Sequence, residues 1–304
     1  MGSVFATRYY YLKYFHSNNN RKLNLKKINY FILTKSIGIS LNIVSFVAPK
    51  KASQIAYSLF SEPRKGRLKR KQLPFFLSEA MRETAQFNTS NFEVYRWKGS
   101  GKTILLVHGW ESNTMRWEKI LPFLQSTGYT ILAIDAPAHG LSDGKEFTVP
   151  KYAQLLHEIC KKYNPEIIIG HSIGGTACIY YQYKYKYPKI EKLIILGAPS
   201  DLRVLLENFY SLLSLNARVR TNFELLFEKK IEQPIALFSG QLFCEVIEIN
   251  GLLVYDTDDK IVLLKEAEKY KRAWKNAEYI QTNGLGHSMQ DSNLYEQIVA
   301  YIKK

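Results

Sequence analysis

Ile167-Ile168-Ile169-Gly170-His171-Ser172-Ile173-Gly174-Gly175 decides how the rest of the chain is read. The β-branched run predicts a buried strand, and the residues after it predict a helix over 173–187. Between the two lies Gly-x-Ser-x-Gly. A serine at so tight a strand-to-helix turn needs glycine two residues to either side, because the backbone crowds together beneath it. The turn lifts the hydroxyl above the sheet, at the positive end of the helix. Ser172 is therefore the candidate nucleophile.

Outward from this point, residues 92–97, 103–107, 130–135, 166–170 and 192–196 read as strands, with helices at 115–126 and 151–163. Short apolar strands alternating with helices predict an α/β domain: a mostly parallel central sheet, helices on both faces, and sites at the strand C-termini. Gly99-Ser100-Gly101-Lys102-Thr103 imitates the end of a phosphate-binding loop. Arg96 stands where that motif needs its first glycine, however, and the glycines precede a strand instead of a helix, so they read as a hairpin turn.

Serine is a weak nucleophile without a neighbouring base, normally a histidine held by a carboxylate. Of the six histidines, His16 lies in an Asn-rich head and His157 on a predicted helix. His108 and His139 sit in turns beside glycine, and His171 adjoins the serine itself. His287 remains, in the glycine-bounded loop 283–288 after a strand at 277–282. Asp256, Asp258 and Asp259 follow another apolar strand. Asp259, directly before Lys260-Ile261-Val262, is the expected partner; Asp256 is the alternative, otherwise a turn cap, and Asp258 a solvated neighbour. Two backbone donors for an oxyanion are expected from Ile173, after the serine, and from Trp110 in Val107-His108-Gly109-Trp110. The Trp110 indole either walls an acyl pocket or is a plain core aromatic.

These residues resemble the α/β-hydrolase superfamily, in the branch with His108-Gly109-x at the oxyanion loop, Asp135-Ala-Pro-Ala-His139-Gly140-Leu-Ser142 after the next strand, and Gly-His-Ser-x-Gly-Gly at the nucleophile elbow. The resemblance runs from about Phe92 to the C-terminus. It implies Ser172 as nucleophile, Asp259 as orienting acid and His287 as general base, in that chain order, with Trp110 and Ile173 as oxyanion amides. Asp135 and His139 would shape a loop and take no part in the chemistry. Cleavage of carboxylic esters or thioesters through an acyl-enzyme follows as the implied activity, on a small-molecule acyl substrate and with no cofactor. A helical lid is implied at about 200–245, where leucines and phenylalanines either roof an apolar acyl pocket or cover the body. Two other readings are a binding or regulatory protein on a hydrolase scaffold, and an acyltransferase. Haloalkane dehalogenase chemistry is disfavoured, since it needs Asp where Ser172 stands.

Lys and Arg number 42 against 27 Asp and Glu, a formal balance of +15, with 46% hydrophobic residues, which excludes disordered and disulfide-dense classes. Positions 1–98 hold 18 basic and 4 acidic residues, while positions 99–304 hold 24 and 23. The chain thus divides into a basic, partly helical N-terminal extension, 1–91, and an α/β-hydrolase domain, 92–304. Cys160, Cys178 and Cys244 are odd in number and widely spaced, so a reducing, cytoplasmic compartment is expected. No ligand-like His or Cys spacing supports zinc, and Ile261 occupies the glycine position of a calcium loop begun at Asp256, so no metal is expected.

Residues 28–48 predict an apolar helix carrying a polar stripe, Lys35, Gly38, Asn42 and Ser45. A lysine near the middle fits an interfacial or domain-packed helix better than a span. Pro49 after Ala48, and Phe46 where a signal peptidase needs a small residue, argue against a cleaved signal, and Ala6 breaks the myristoylation pattern. A short helix follows at 49–60. Arg64, Lys65, Arg67, Lys69, Arg70 and Lys71 then form a basic cluster that is either solvated or a contact for anionic lipid. With an apolar helix beside it, residues 28–71 are expected to favour an anionic membrane surface, peripheral at the inner face, and nucleic acid is the weaker partner.

Overall fold

In the computed structural model, which describes residues 21–304 apart from Asn88, a single eight-stranded sheet runs through the body in the order β1-β2-β4-β3-β5-β6-β7-β8. Its strands are β1 (Met81–Phe87), β2 (Ser90–Trp97), β3 (Thr103–Val107), β4 (Thr130–Ile134), β5 (Ile167–His171), β6 (Lys192–Leu196), β7 (Asn250–Asp256) and β8 (Ala277–Thr282). β1, β2 and β4 pair antiparallel and every other neighbour is parallel. The period of two divides each central strand between two cores. Leu105, Val107 and Ile168 enter one, and Ile104, Leu106, Ile167 and Ile169 the other. Helices α5 (Val149–Tyr163), α6 (Ile173–Tyr185) and α10 (Leu264–Ala273) close the first face, and α4 (Leu121–Gln125) and α11 (Ser292–Lys303) the second. This is the α/β-hydrolase fold.

Three expectations are corrected. The helix at 115–126 is instead a 3₁₀ turn, Thr114–Trp117, followed by α4; Pro122 has no amide to continue an α-helix through that point. The sheet begins at Met81, upstream of the boundary expected at residue 92. β1 escaped detection because it is an edge strand whose residues are largely exposed, with no apolar alternation. The basic cluster is also only partly solvated. Arg67 donates to the carbonyls of Ser142 and Gly144, Arg64 to that of Leu59, and Arg70 pairs at 3.1 Å with the buried Glu93. Lys65, Lys69 and Lys71 are exposed. His16 and the first six residues lie outside the described residues.

The connection from β6 to β7 is helical: α7 (Leu202–Leu213), α8 (Ala217–Ile231) and α9 (Gly240–Cys244). Two helices from the N-terminal extension pack on it, α1 (Arg21–Val47) and α2 (Pro49–Ser61), and a single turn, α3 (Phe75–Ser78), precedes β1. Phe60 of α2 meets Phe209, Phe223 and Phe227 at ring separations of 5.2, 5.8 and 5.6 Å. The polar stripe of α1 turns toward this helical connection. Lys35 Nζ donates to the carbonyls of Ser211 and Leu212 at 3.0 and 2.9 Å and to Ser214 Oγ at 2.7 Å. Those carbonyls lie in the last turn of α7, where the helix dipole favours a cation; that of Ser211 also accepts the Ser214 amide at 3.3 Å. Asn42 accepts from the Asn216 amide at 2.8 Å and donates to the Ser214 carbonyl at 2.9 Å. Between them Gly38 is pressed against the Leu213 carbonyl oxygen, 1.6 Å from where a Cβ would stand.

That contact yields a sign test. In a free helix Gly38→Ala stabilises by about 1 kcal/mol; with α1 docked on α7 it forces the helices apart and costs about 1–3 kcal/mol in urea denaturation.

Candidate active site

β5 ends at His171, and the chain turns at once into α6. The turn is Ser172, at φ 54° and ψ −133°, a backbone conformation uncommon for any residue with a side chain. It is held from both sides. The Ser172 amide donates to the Leu196 carbonyl at 2.8 Å, and its own carbonyl accepts from Gly175 at 2.8 Å. Gly174 lets α6 approach the preceding loop: a Cβ there would stand 2.3 Å from the His108 carbonyl oxygen. Gly109 does the same from the other side, since its Cβ would lie 2.9 Å from that of Ser172.

Ser172 Oγ lies 3.0 Å from His287 Nε2, and His287 Nδ1 lies 2.7 Å from Asp259 Oδ2. The carboxylate fixes the tautomer: Nδ1–H donates to Asp259, leaving the Nε2 lone pair toward the serine hydroxyl. Asp259 is buried and its other oxygen accepts the amides of Ile261 and Val262 at 2.8 and 2.9 Å. Asp256, the alternative from sequence, instead shapes the histidine loop. It accepts from Thr282 Oγ1 and from the amides of Asp258, Leu285 and Gly286. Burial pushes its carboxyl up, and these hydrogen bonds outweigh that and hold it below the usual carboxylate range.

The same loop is held at two further points that sequence reasoning missed. His171 Nε2 donates to the His287 carbonyl at 2.8 Å, and Arg116 donates to the Ser288 carbonyl at 2.7 Å. Only proximity to Ser172 distinguished His171 in the sequence, and nothing local distinguished Arg116. Gly197, at φ 57° after β6, lies against Met289, Asp259 and His287.

Ile173 opens α6, so its amide is among the helix's unpaired donors. Trp110 lies across the cleft, and both residues line the cavity that contains Ser172. The Trp110 ring meets Phe147 and His139 edge-on at 5.6 Å, so it is at once cavity wall and core contact. Two histidines hold its loop. His108 Nε2 accepts the Ala136 amide and His139 Nε2 accepts the Glu111 amide, each at 2.9 Å. Asp135 accepts from Thr114, Tyr95 and Leu141 beneath them. The cavity has a volume of about 560 Å³ and is lined by Phe147, Leu205, Phe209, Leu212, Phe227 and Phe238, among others. Among the described residues, no three His, Cys, Asp or Glu side chains are grouped to hold a metal ion, and the three cysteines are free and buried.

A family model described as the alpha/beta hydrolase fold matches residues 102–246. An uncharacterized protein of Mycobacterium tuberculosis is 32% identical over 122 residues, which are 38% of this chain and 35% of that protein. A serine hydrolase-like protein of Homo sapiens is 33% identical over 106 residues, 33% of this chain and 51% of that protein. The chain therefore spans only about a third to a half of these relatives. Among solved structures, a bromoperoxidase from Bacillus anthracis is similar with a TM-score of 0.59 at 20% identity, covering 74% of this chain and 100% of that one; the likeness is one of fold.

The buried histidines give a pH prediction. Burial lowers His108 and His139 from 6.5 to about 4 and puts His171 well below its ordinary value, so all three are neutral in the fold. Below about pH 6.5 the unfolded chain binds the extra protons, so stability falls as pH drops toward 4, by about 1.4 kcal/mol per pH unit for each histidine that titrates. Urea denaturation at pH 7, 6 and 5 measures this slope, and His108→Asn flattens it by about one proton.

Proposed function

We propose that this chain, which has the α/β-hydrolase fold and matches its family model over residues 102–246, is a serine hydrolase of carboxylic esters or thioesters, with Ser172, His287 and Asp259 as its catalytic triad. One observation carries this reading: an unbroken hydrogen-bonded path from Ser172 Oγ, which lines an apolar cavity, through His287 to the buried Asp259.

In the first half-reaction Ser172 Oγ attacks the acyl carbonyl carbon while His287 Nε2 takes its proton. The imidazolium so formed faces the Asp259 carboxylate, which favours it. Negative charge gathers on the former carbonyl oxygen, where the amides of Trp110 and Ile173 are the proposed donors. Collapse breaks the bond to the alcohol or thiol, which leaves with the proton from His287. Water then attacks the acyl-enzyme, again through His287, and releases the acid. An acceptor other than water would use the same first half-reaction. The phenylalanines and leucines of the cavity suit an apolar acyl chain, whose burial contributes roughly 0.8 kcal/mol per methylene.

Ser172→Ala lowers kcat on p-nitrophenyl acyl esters by about 10⁶-fold with the fold retained. The two aspartates separate by kinetics. Asp259→Asn presents the wrong tautomer to the serine and lowers kcat by about 10⁴-fold. Asp256→Asn acts mainly on the loop, costing about 1–3 kcal/mol of stability with a far smaller loss of kcat.

A further inference from the structure

Helix α1 departs from the usual surface helix, whose single apolar stripe meets the core, because its outer face is apolar as well. Its polar residues Lys35, Asn42 and Ser45 are bound to the end of α7 and the turn after it. Leu41 is buried beside them and Ile37 and Val44 pack on the core, but a second apolar row, Ile32, Ile39, Ile43, Phe46 and Val47, points away from the protein and is exposed, Ile43 to 64% and Phe46 to 69%. A contiguous apolar face of this kind marks an interaction surface.

Three observations identify the occupant as lipid. The cavity holding Ser172 is walled on its outer side by α1, through Tyr30, Leu33, Thr34 and Ile37. Tyr30 and Leu33 are also exposed, so the cavity opens beside the apolar face of the helix. Charge points the same way. The first acidic residue of the chain is Glu62, and exposed Lys50 and Lys51 directly follow the apolar end of α1. A second copy of this chain would set the same positive charge against itself, whereas anionic headgroups complement it. The docking of α1 supplies the orientation. Residues Ile28–Val47 are long and apolar enough to cross a bilayer. Lys35, however, holds the middle of the helix against α7, and crossing would drag that helix end into hydrocarbon.

We propose that α1 lies in the plane of an anionic lipid surface and that the acyl substrate passes from the lipid beside Tyr30 and Leu33 to Ser172. The second half of this statement rests on the serine hydrolase reading; the first half does not. Full-length protein is floated with phosphatidylcholine vesicles with and without about 30% phosphatidylglycerol. The protein rises with the anionic vesicles, and the variant carrying both Ile39→Glu and Ile43→Glu, two exposed positions away from the cavity, stays below. With a long-chain ester embedded in those vesicles, the variant's kcat/KM falls about tenfold or more, while hydrolysis of soluble p-nitrophenyl butyrate stays within about twofold, which also shows that the variant is folded. The proposal is overturned if the wild type does not float. It is equally overturned if the variant floats and hydrolyses the embedded ester as the wild type does, or if light scattering finds a dimer that the two substitutions dissolve. Flotation with neither ester hydrolysed overturns delivery to Ser172 together with the hydrolase reading, and leaves lipid docking supported.

Discussion

The backbone of Ser172 is the constraint on which the rest of the site depends. A residue with a side chain at φ 54° and ψ −133° is strained, and strain persists only where the surroundings over-determine it. Here the sheet supplies one side, through the bond from the Ser172 amide to Leu196, and α6 the other, through Gly175. The hydroxyl is thereby fixed relative to two strands and a helix. Every other feature of the cleft is placed relative to it, including the loop at Gly109, which closes to within contact of the serine.

The histidine loop shows the same economy by different means. It has little regular structure beyond the short 3₁₀ turn Gly286–Ser288, and it is positioned by groups from three separate elements. Asp256, at the end of β7, takes two of its amides, while His171 and Arg116 take two of its carbonyls. A side chain carried on a loop is ordinarily mobile; with its loop tethered at four backbone groups, His287 stays within hydrogen-bond reach of Ser172. Asp259 then faces the imidazole with one oxygen while its other oxygen takes the Ile261 and Val262 amides, and Asp256 holds the histidine loop itself.

Much of this was legible in the sequence, for identifiable reasons. Buried parallel strands such as 103–107 and 167–171 have no exposed face, so their apolar runs stand out, and Gly-x-Ser-x-Gly after one of them has a steric meaning. That Ser172, Asp259 and His287 would converge followed from each lying just beyond a strand. Illegible were the contacts that carry no local pattern. β1 is a polar edge strand, and its pairing with β2 is visible only once the sheet exists. The stripe on α1 could be seen, but not that its partner is the end of α7, some 170 residues away. Likewise Arg67 and Arg70 look like a charge run, yet one ties down a loop and the other pairs with a buried glutamate.

The extension and the helices between β6 and β7 together line the cavity, so the parts of the chain on either side of the family match at 102–246 both contribute to the site. Ser172 is the proposed nucleophile. Reaction with a fluorophosphonate followed by intact-mass and peptide mass spectrometry tests it most directly. One adduct per chain is predicted, on the peptide containing Ser172, and none in Ser172→Ala; no adduct on the folded wild type, or an adduct on another residue, would contradict the account.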